Sequence, residues 1–411
     1  MSFEGPVNVN DFNVGNVIGE NTGIGNATLH TKVKVEIPRD SALSVTADGN
    51  IESLYYKDLL YSDVQFNGVY KGTNVKANIN MDSPDNRFNL NGDVTFGEQL
   101  GFELDGEFQR IDLRPFLMME GWETPVLSTS INGRMQGNSI DDMEGTLVLD
   151  NTSLVDSNFF YNPGPIYIQA LARPDEEKKI QIMSSFMEAE IAGDYYFSSI
   201  AKEFKQQLSP GLPSLIQLTE DEVADSTYNH NNFRFNISLH NTEDLSYAFS
   251  LPFYNVEEAT LSGNVDFAEN DIFNVKGYFP RLMFGNSDIR ETRLNVNGNQ
   301  NGTNLNVNTY LVQESGFINA RLNSTTALDS VANRLAFDIQ NSNTKSNGEL
   351  LITMGFDRDI DNELESNIRI HPAAINFNNK KIDINDAAIA YQTDRISISN
   401  FGISENNMLL L

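Results

Sequence analysis

The residues best equipped for chemistry lie in one run, Asp357-Arg358-Asp359-Ile360-Asp361-Asn362-Glu363-Leu364-Glu365. Carboxylates at alternate positions open a calcium loop, which then needs a glycine for its sharp turn and a bidentate Glu at its end. Asn362 stands where the glycine belongs and Ile368 where the Glu belongs, so the run predicts a solvated hairpin tip and no metal site. The histidines His30, His230, His240 and His371 are scattered without ligand spacing, and each reads as a polar strand or loop residue. No nucleophile elbow, phosphate loop or dinucleotide fingerprint occurs, and Gly15-Asn16-Val17-Ile18-Gly19 reads as a loop. Asp141-Asp142 and Glu257-Glu258 read as surface charge flanking strands. The absence of cysteine removes thiol catalysis, Cys-ligated zinc and disulfides. The expectation is a protein without enzymatic activity, cofactor or metal.

What the chain does carry is alternation. Lys32-Val33-Lys34-Val35-Glu36-Ile37, Phe102-Glu103-Leu104-Asp105, Phe233-Arg234-Phe235-Asn236-Ile237-Ser238-Leu239, Leu305-Asn306-Val307-Asn308 and Ile382-Asp383-Ile384-Asn385 all alternate apolar with polar. Successive side chains of a strand point to opposite faces, so this pattern builds sheets with one apolar and one wet face. The predicted fold class is all-β: a long curled antiparallel sheet forming an apolar β-groove, with one short amphipathic helix. Phe102, Leu104, Phe108, Phe233, Phe235, Ile237, Leu239, Leu305 and Val307 are its expected lining. Nothing in the sequence supplies helices to cover that face. Either the sheet curls over itself or something other than protein lies along it.

A shorter pattern recurs inside the strands: apolar, any, Gly, any, apolar. It is centred on Gly49, Gly68, Gly92, Gly106, Gly133, Gly145, Gly193 and Gly263. A glycine in phase with its apolar neighbours leaves a dent or permits a bend, and the same residues also suit hairpin turns. Ser199 is placed to cap a helix over Ile200 to Leu208, with Ile200, Phe204 and Leu208 on one face and Ser209-Pro210-Gly211 as its stop. That helix reads either as a patch on exposed sheet or as a lid. The acidic, Asn-rich stretch from Thr219 to Asn232 reads as a linker. Three segments follow: 1–195 a first groove segment, 196–232 helix and linker, 233–411 a second groove segment.

Acidic residues outnumber basic ones by 57 to 28, a net charge of -29. Nucleic acid needs Lys and Arg to displace its counterions, so it is not an expected partner. An anionic bilayer surface would repel the chain as well. A hydrophobic fraction of 40%, with 26 Phe and 14 Tyr, is too rich for disorder. No apolar run reaches the about 18 residues of a spanning helix. The start, Met1-Ser2-Phe3-Glu4-Gly5-Pro6, shows no export signal, and the apolar close at Met408-Leu409-Leu410-Leu411 suggests a fragment whose final strand, Ile396 to Leu411, would recruit partners along its edge.

The run Ile375-Asn376-Phe377, Lys381-Ile382-Asp383-Ile384, Ile389-Ala390-Tyr391 and Ile396-Ser397-Ile398-Ser399-Asn400-Phe401-Gly402-Ile403 resembles a module of the TamB family, of the AsmA-like group. Gly193-Asp194-Tyr195-Tyr196-Phe197, leading into the helix, resembles it too, and Phe12-Asn13-Val14-Gly15-Asn16-Val17-Ile18-Gly19 is similar to a stretch preceding such modules in Bacteroidetes-type members. The resemblance implies a periplasmic β-groove in a Gram-negative bacterium, anchored to the inner membrane in the full-length protein. It implies phospholipid acyl chains as cargo and an outer-membrane barrel protein of the assembly family as partner. The roles it implies are phospholipid transfer between the membranes and outer-membrane protein assembly. The family's membrane anchor and its barrel-contacting domain are not seen in this sequence. About 25 strands at about 4.8 Å each would stack to about 120 Å, which suits a conduit better than a pocket. Two rivals stand beside this reading: a structural or adhesin-like β-protein without lipid, and an outer-membrane barrel.

Overall fold

The computed structural model describes residues 2–409 apart from 19–21, 38–41, 58, 98–99, 117–121, 174–175, 220–221, 223–229, 269–271, 300, 314–315, 343, 393–394 and 406–407. The fold is all-β and antiparallel, with 69% of residues in strands. The chain forms two compact units, Met1–Glu188 with Asp244–Leu251, and Ala189–Glu243 with Pro252–Leu411.

In the first unit the strands are β1 (Ser2–Asn13), β2 (Ile24–Glu36), β3 (Ser44–Tyr56), β4 (Leu59–Lys71), β5 (Asn74–Asp82) and β6 (Arg87–Thr95). They continue as β7 (Leu100–Asp112), β8 (Val126–Gly137), β9 (Glu144–Val155), β10 (Phe160–Tyr161), β11 (Ile166–Leu171) and β12 (Lys179–Met183), and the division between units falls inside β13 (Met187–Asp194). From β1 to β9 each strand pairs with the next. Among the described residues β1 pairs only with β2, so the sheet is open and not a barrel. Gly15–Ile18, expected as a loop, contains a four-residue helical turn because Asn13 Oδ1 accepts the Asn16 amide at 3.0 Å.

All eight glycines of the recurring pattern lie within strands, so the hairpin-turn alternative falls. Register explains them. Leu104 lies between Gly92 on β6 and Gly133 on β8, while Gly106 lies between Leu90 and Ile131. Large faces small at these positions, which lets neighbouring apolar side chains interlock on one pleat face, whereas Gly68 lies between Ala47 and Ala77. The space differs from site to site. A Cβ on Gly145, at φ +144°, would meet Arg134 O at 2.0 Å, whereas one on Gly92 would find nothing nearer than Leu104 Cδ2 at 3.5 Å. Gly145→Ala is therefore expected to cost about 2 kcal/mol. Gly92→Ala should be neutral or slightly stabilising, since a strand glycine carries an entropic cost. Urea melts of the two variants check this, and equal effects would mean that register does not set the requirement.

Bending is supplied by bulges. Register shifts fall at Val9/Phe12, Thr28/Leu29, Arg87/Phe88, Phe108/Ile111 and Ser128/Ser130. Asp11, Asp63 and Asn151 take left-handed φ values at the same level of the sheet. A bulge kinks its strand and increases the local twist, so a transverse line of bulges curls the apolar face inward.

The second unit holds β14 (Asn232–Leu239), β15 (Phe253–Asn255), β16 (Ala259–Asp266), β17 (Phe273–Phe284), β18 (Ser287–Asn299), β19 (Gly302–Gln313), β20 (Gly316–Ala327), β21 (Ser330–Asn341) and β22 (Lys345–Arg358). It ends with β23 (Leu364–Ile370), β24 (Ala373–Phe377), β25 (Lys380–Ile384), β26 (Ala387–Gln392), β27 (Arg395–Ser399), β28 (Ile403–Glu405) and β29 (Met408–Leu409). β22 runs unbroken and pairs with β23 along its second half and with β24 along its first. Beyond it, β23/β24, β25/β26 and β27/β28 are each one strand interrupted at a common level, beside His371-Pro372, Asn385-Asp386 and Asn400 to Gly402. The interruptions form a seam across three neighbouring strands. β27 pairs only with β26 among the described residues, and its Ile396 and Ile398 are 65% and 64% exposed.

The predicted helix is present at Ile200–Leu208, and a second, Glu243–Ala248, adjoins it in chain order after β14. Two details differ from expectation. Ser199 occupies the cap position without a side-chain cap bond; its hydroxyl instead accepts Asn231 Nδ2 at 3.2 Å. The helix's one buried residue is Glu203, not a member of the apolar stripe. Phe204 packs edge-on against Phe267, at 4.8 Å between centroids, and the following residues run along the hairpin tips. There Gly211 O accepts the Asp329 amide, the Asp329 carboxylate accepts Ser214 N and Oγ, and Arg358 Nε donates to Ser214 O. Most of the stretch from Thr219 to Asn232, read as a linker, lies outside the described residues.

Candidate functional site

The site grows from the curl of the first unit. At the level of its bulges, Ile51, Val64, Met81, Phe88 and Phe108 face one another in register on β3 to β7, with Ile79, Leu90, Ile131 and Leu149 in the next row. Together with Leu54, Tyr61, Asn86, Ile111, Phe116, Leu127 and Thr129 they line a cavity of about 560 Å³. That is the size of a small-ligand site. Tyr61, Asn86 and Thr129 are its only lining residues with side-chain oxygen or nitrogen, their polar atoms lie turned from the cavity, and Thr129 is paired with Thr152 at 2.8 Å. Phe88 and Phe108 stack at 5.4 Å on the floor.

Polar side chains pack behind one end of the apolar wall. The β5–β6 turn is closed by Ser83 and Asn86, and the buried Asn86 turns its Oδ1 to the Asp112 amide at 2.9 Å. Burial pushes the Asp112 carboxyl up, but hydrogen bonds from the Arg114 side chain and backbone, with its charge, leave it below the usual carboxylate range. Residues 113–116, which follow β7, bring Phe116, 57% exposed, to the cavity wall. The Tyr56 ring lies tilted against Phe116 at 5.7 Å and 6.4 Å from Tyr61. Lys57, at the β3–β4 turn, sits 5.5 Å over the Tyr56 ring and donates to Pro115 O at 2.7 Å. The Tyr61 hydroxyl is shut from solvent with no hydrogen-bond partner, and its pKa is raised by burial and then by the charge of Asp112.

Other clefts are of a different kind. One of about 680 Å³ lies over Asn8, His30, Lys32, Asp48 and Asn50 on the wet face, where amides and charges already pair. Asp357 to Glu365 folds as a hairpin tip in which Asp359 Oδ1 accepts the Asp361 and Glu363 amides, and Asn362 takes the left-handed φ of 65°. No group of three or more ligand-type side chains converges among the described residues.

Of the nine expected lining residues, Phe108 lines the cavity. Phe102 and Leu104 continue the same strand face, with Val94 and Gly92 as their partners on β6. In the second unit, Phe235, Gly263, Val275, Val296 and Leu305 form one row across β14 to β19, and Ile237, Leu261, Gly277, Leu294 and Val307 form the next. Phe233 faces Val265 and Leu239 faces Ala259. Sequence reasoning missed Tyr61, Asn86, Asp112 and Phe116. The signal available was the aromatic density of Tyr55-Tyr56 and Tyr61 around a turn. It also missed the buried Glu203, whose Oε2 accepts Asn231 N at 3.0 Å and Nδ2 at 2.6 Å, while Oε1 meets His230 Nδ1 at 3.0 Å. No family model, curated protein or solved structure matches this chain.

Proposed function

We propose that the protein is a β-groove that holds phospholipid acyl chains along the apolar face of its sheet. In this reading it is a periplasmic conduit between inner and outer membranes, working with an outer-membrane barrel partner in lipid transfer or protein assembly, as the TamB-like resemblance implies. The observation that carries the reading is the cavity of about 560 Å³, apolar over nearly all its wall and only partly enclosed. Uncovered apolar surface costs about 25 cal/mol per Å² in water, and an acyl chain laid along it offsets that cost. A structural or adhesin-like protein would instead close such a face with its own side chains.

Photo-crosslinking residues test this directly. Placed at Leu90 and Phe108, on the cavity wall, they are expected to label co-purified lipid. At Asn89 and Glu107, on the opposite phase of the same strands, they should not. Equal labelling from both phases, or none from either together with native mass spectra free of lipid, would remove the conduit reading.

A further inference from the structure

We propose that the helix Ile200–Leu208 and the residues after it, to Gln217, form a displaceable lid on the apolar face of the second unit, latched along the hairpin tips. The inference rests on the groove reading and adds to it a moving part with which an acyl chain competes.

The covered part of the face stands out by its burial. Phe233, Val265 and Phe273 form one row across β14, β16 and β17, and Phe267 and Ile272 adjoin it at the β16–β17 turn. Phe233, Val265, Phe267 and Ile272 are all buried. In the next row Phe235, Val275, Val296 and Leu305 are only half-buried, although two residues along a strand return to the same face. The dry part is where the helix lies: Phe204 meets Phe267 edge-on at 4.8 Å and stands 5.9 Å from Phe273.

The two ends of this segment are held differently. At the start, buried Asn231 accepts the Tyr196 amide through Oδ1 at 2.6 Å and donates to buried Glu203 through its own amides. That end is the fixed one. From the last turn of the helix onward the chain passes four successive hairpin tips. Gln207 Nε2 donates to Phe267 O at 3.4 Å beside the β16–β17 turn, and a Cβ on Gly211 would lie 3.5 Å from Gly302 Cα at the β18–β19 turn. At the β20–β21 turn the Asp329 carboxylate accepts Ser214 N at 2.7 Å and Ser214 Oγ at 2.9 Å. At the β22–β23 turn Gln217 Nε2 donates to Asn362 Oδ1 at 2.9 Å. Pro213, Leu215 and Gln217 are exposed, and water can replace each of these polar bonds, so the latch opens at small cost.

The helix itself is nine residues long, too short to persist alone, so its order depends on the face it covers. An acyl chain offers Phe267 and Phe273 the same apolar cover that Phe204 does. Helix and chain therefore exclude each other, and each weakens the other's hold by the same factor. The lid keeps the empty face dry and yields when lipid arrives.

A reversible lock on the full chain tests this. The chain has no cysteine, so Ser214→Cys with Asp329→Cys gives a single disulfide across the latch. Photoreactive residues are placed at Phe273, beneath the lid, and at Leu305, beyond it, and the protein is loaded from dioleoylphosphatidylcholine vesicles. In the reduced form both positions are expected to label lipid. In the oxidised form Leu305 should label as before and Phe273 about fivefold less, with reduction restoring it. The unsubstituted chain gives a second measurement: loading with the same vesicles should speed hydrogen exchange at the Ser214 and Asp329 amides, both donors in the latch. Equal labelling of Phe273 in the two redox forms overturns the lid and leaves the groove reading standing. So does labelling of Leu305 alone in both forms, or latch exchange that lipid leaves unchanged, since the helix is then a fixed part of the core. If neither position labels in either form, the groove reading falls and this inference with it.

Discussion

Replacing Trp122 by alanine is expected to lower the unfolding free energy by about 3–5 kcal/mol, the range for emptying a buried aromatic site. Trp122, the only tryptophan, is 7% exposed in a cluster with Leu154, Tyr161 and Ala248, flanked by Leu113, Phe159, Leu245 and Phe249. Its ring lies 5.6 Å from Phe249 and 6.1 Å from Phe159, and its Nε1 donates to Ala248 O at 2.6 Å. That bond fastens Asp244–Leu251 to a residue just before β8 that precedes Ala248 by 126 residues in sequence, so the variant loses both the packing and the fastening. Trp122→Phe keeps most of the ring and leaves only the Ala248 carbonyl unpaired, and should recover about half of the loss. Urea melts followed by far-UV circular dichroism measure both. A loss below about 1 kcal/mol in the alanine variant would mean that this cluster does not hold the first unit together.

The second large effect is expected at Glu203. Its side chain is 2% exposed, and it accepts both the backbone amide and the side-chain amide of Asn231, itself fully buried. Glu203→Ala deletes the acceptor and leaves two buried donors unpaired, at about 3 kcal/mol. Glu203→Gln keeps the shape and one acceptor oxygen, and so should cost about half as much. Glu203→Leu, which fills the volume, should be no better than alanine, because the orphaned Asn231 donors and not the lost volume dominate. Should the leucine variant prove as stable as wild type, packing would be the role of this position and the hydrogen-bond account would be wrong.

Much of the fold is legible in the residues themselves. Period two in Phe102 to Asp105 or Leu305 to Asn308 places those side chains on alternate faces whatever the partner strand, because alternation is a property of a single extended backbone. The one strong amphipathic helix is legible for the same reason: 3.6-residue periodicity and a Ser-Pro-Gly stop are local. The hairpin tip at Asp359 to Glu363 is local too.

What the tertiary structure decided is everything that depends on register and on where the sheet bends. The pattern around Gly106 permits a turn as readily as a strand; only its placement between Leu90 and Ile131 shows that the glycine is a recess for large neighbours. The bends sit at bulges on Asp11, Asp63 and Asn151, residues with no mark in the sequence, because a bulge is a mismatch between two strands and belongs to neither alone. The cavity follows from those bends. Its members come from turns and strands spread between Ile51 and Leu149, and Lys57 meets Pro115 only when the β3–β4 turn comes against the residues that follow β7. Glu203 shows the same limit in small. On a helical wheel it is a solvated acid, and it is buried only because Asn231, brought back by the chain, offers the two donors that make burial of a carboxylate tolerable.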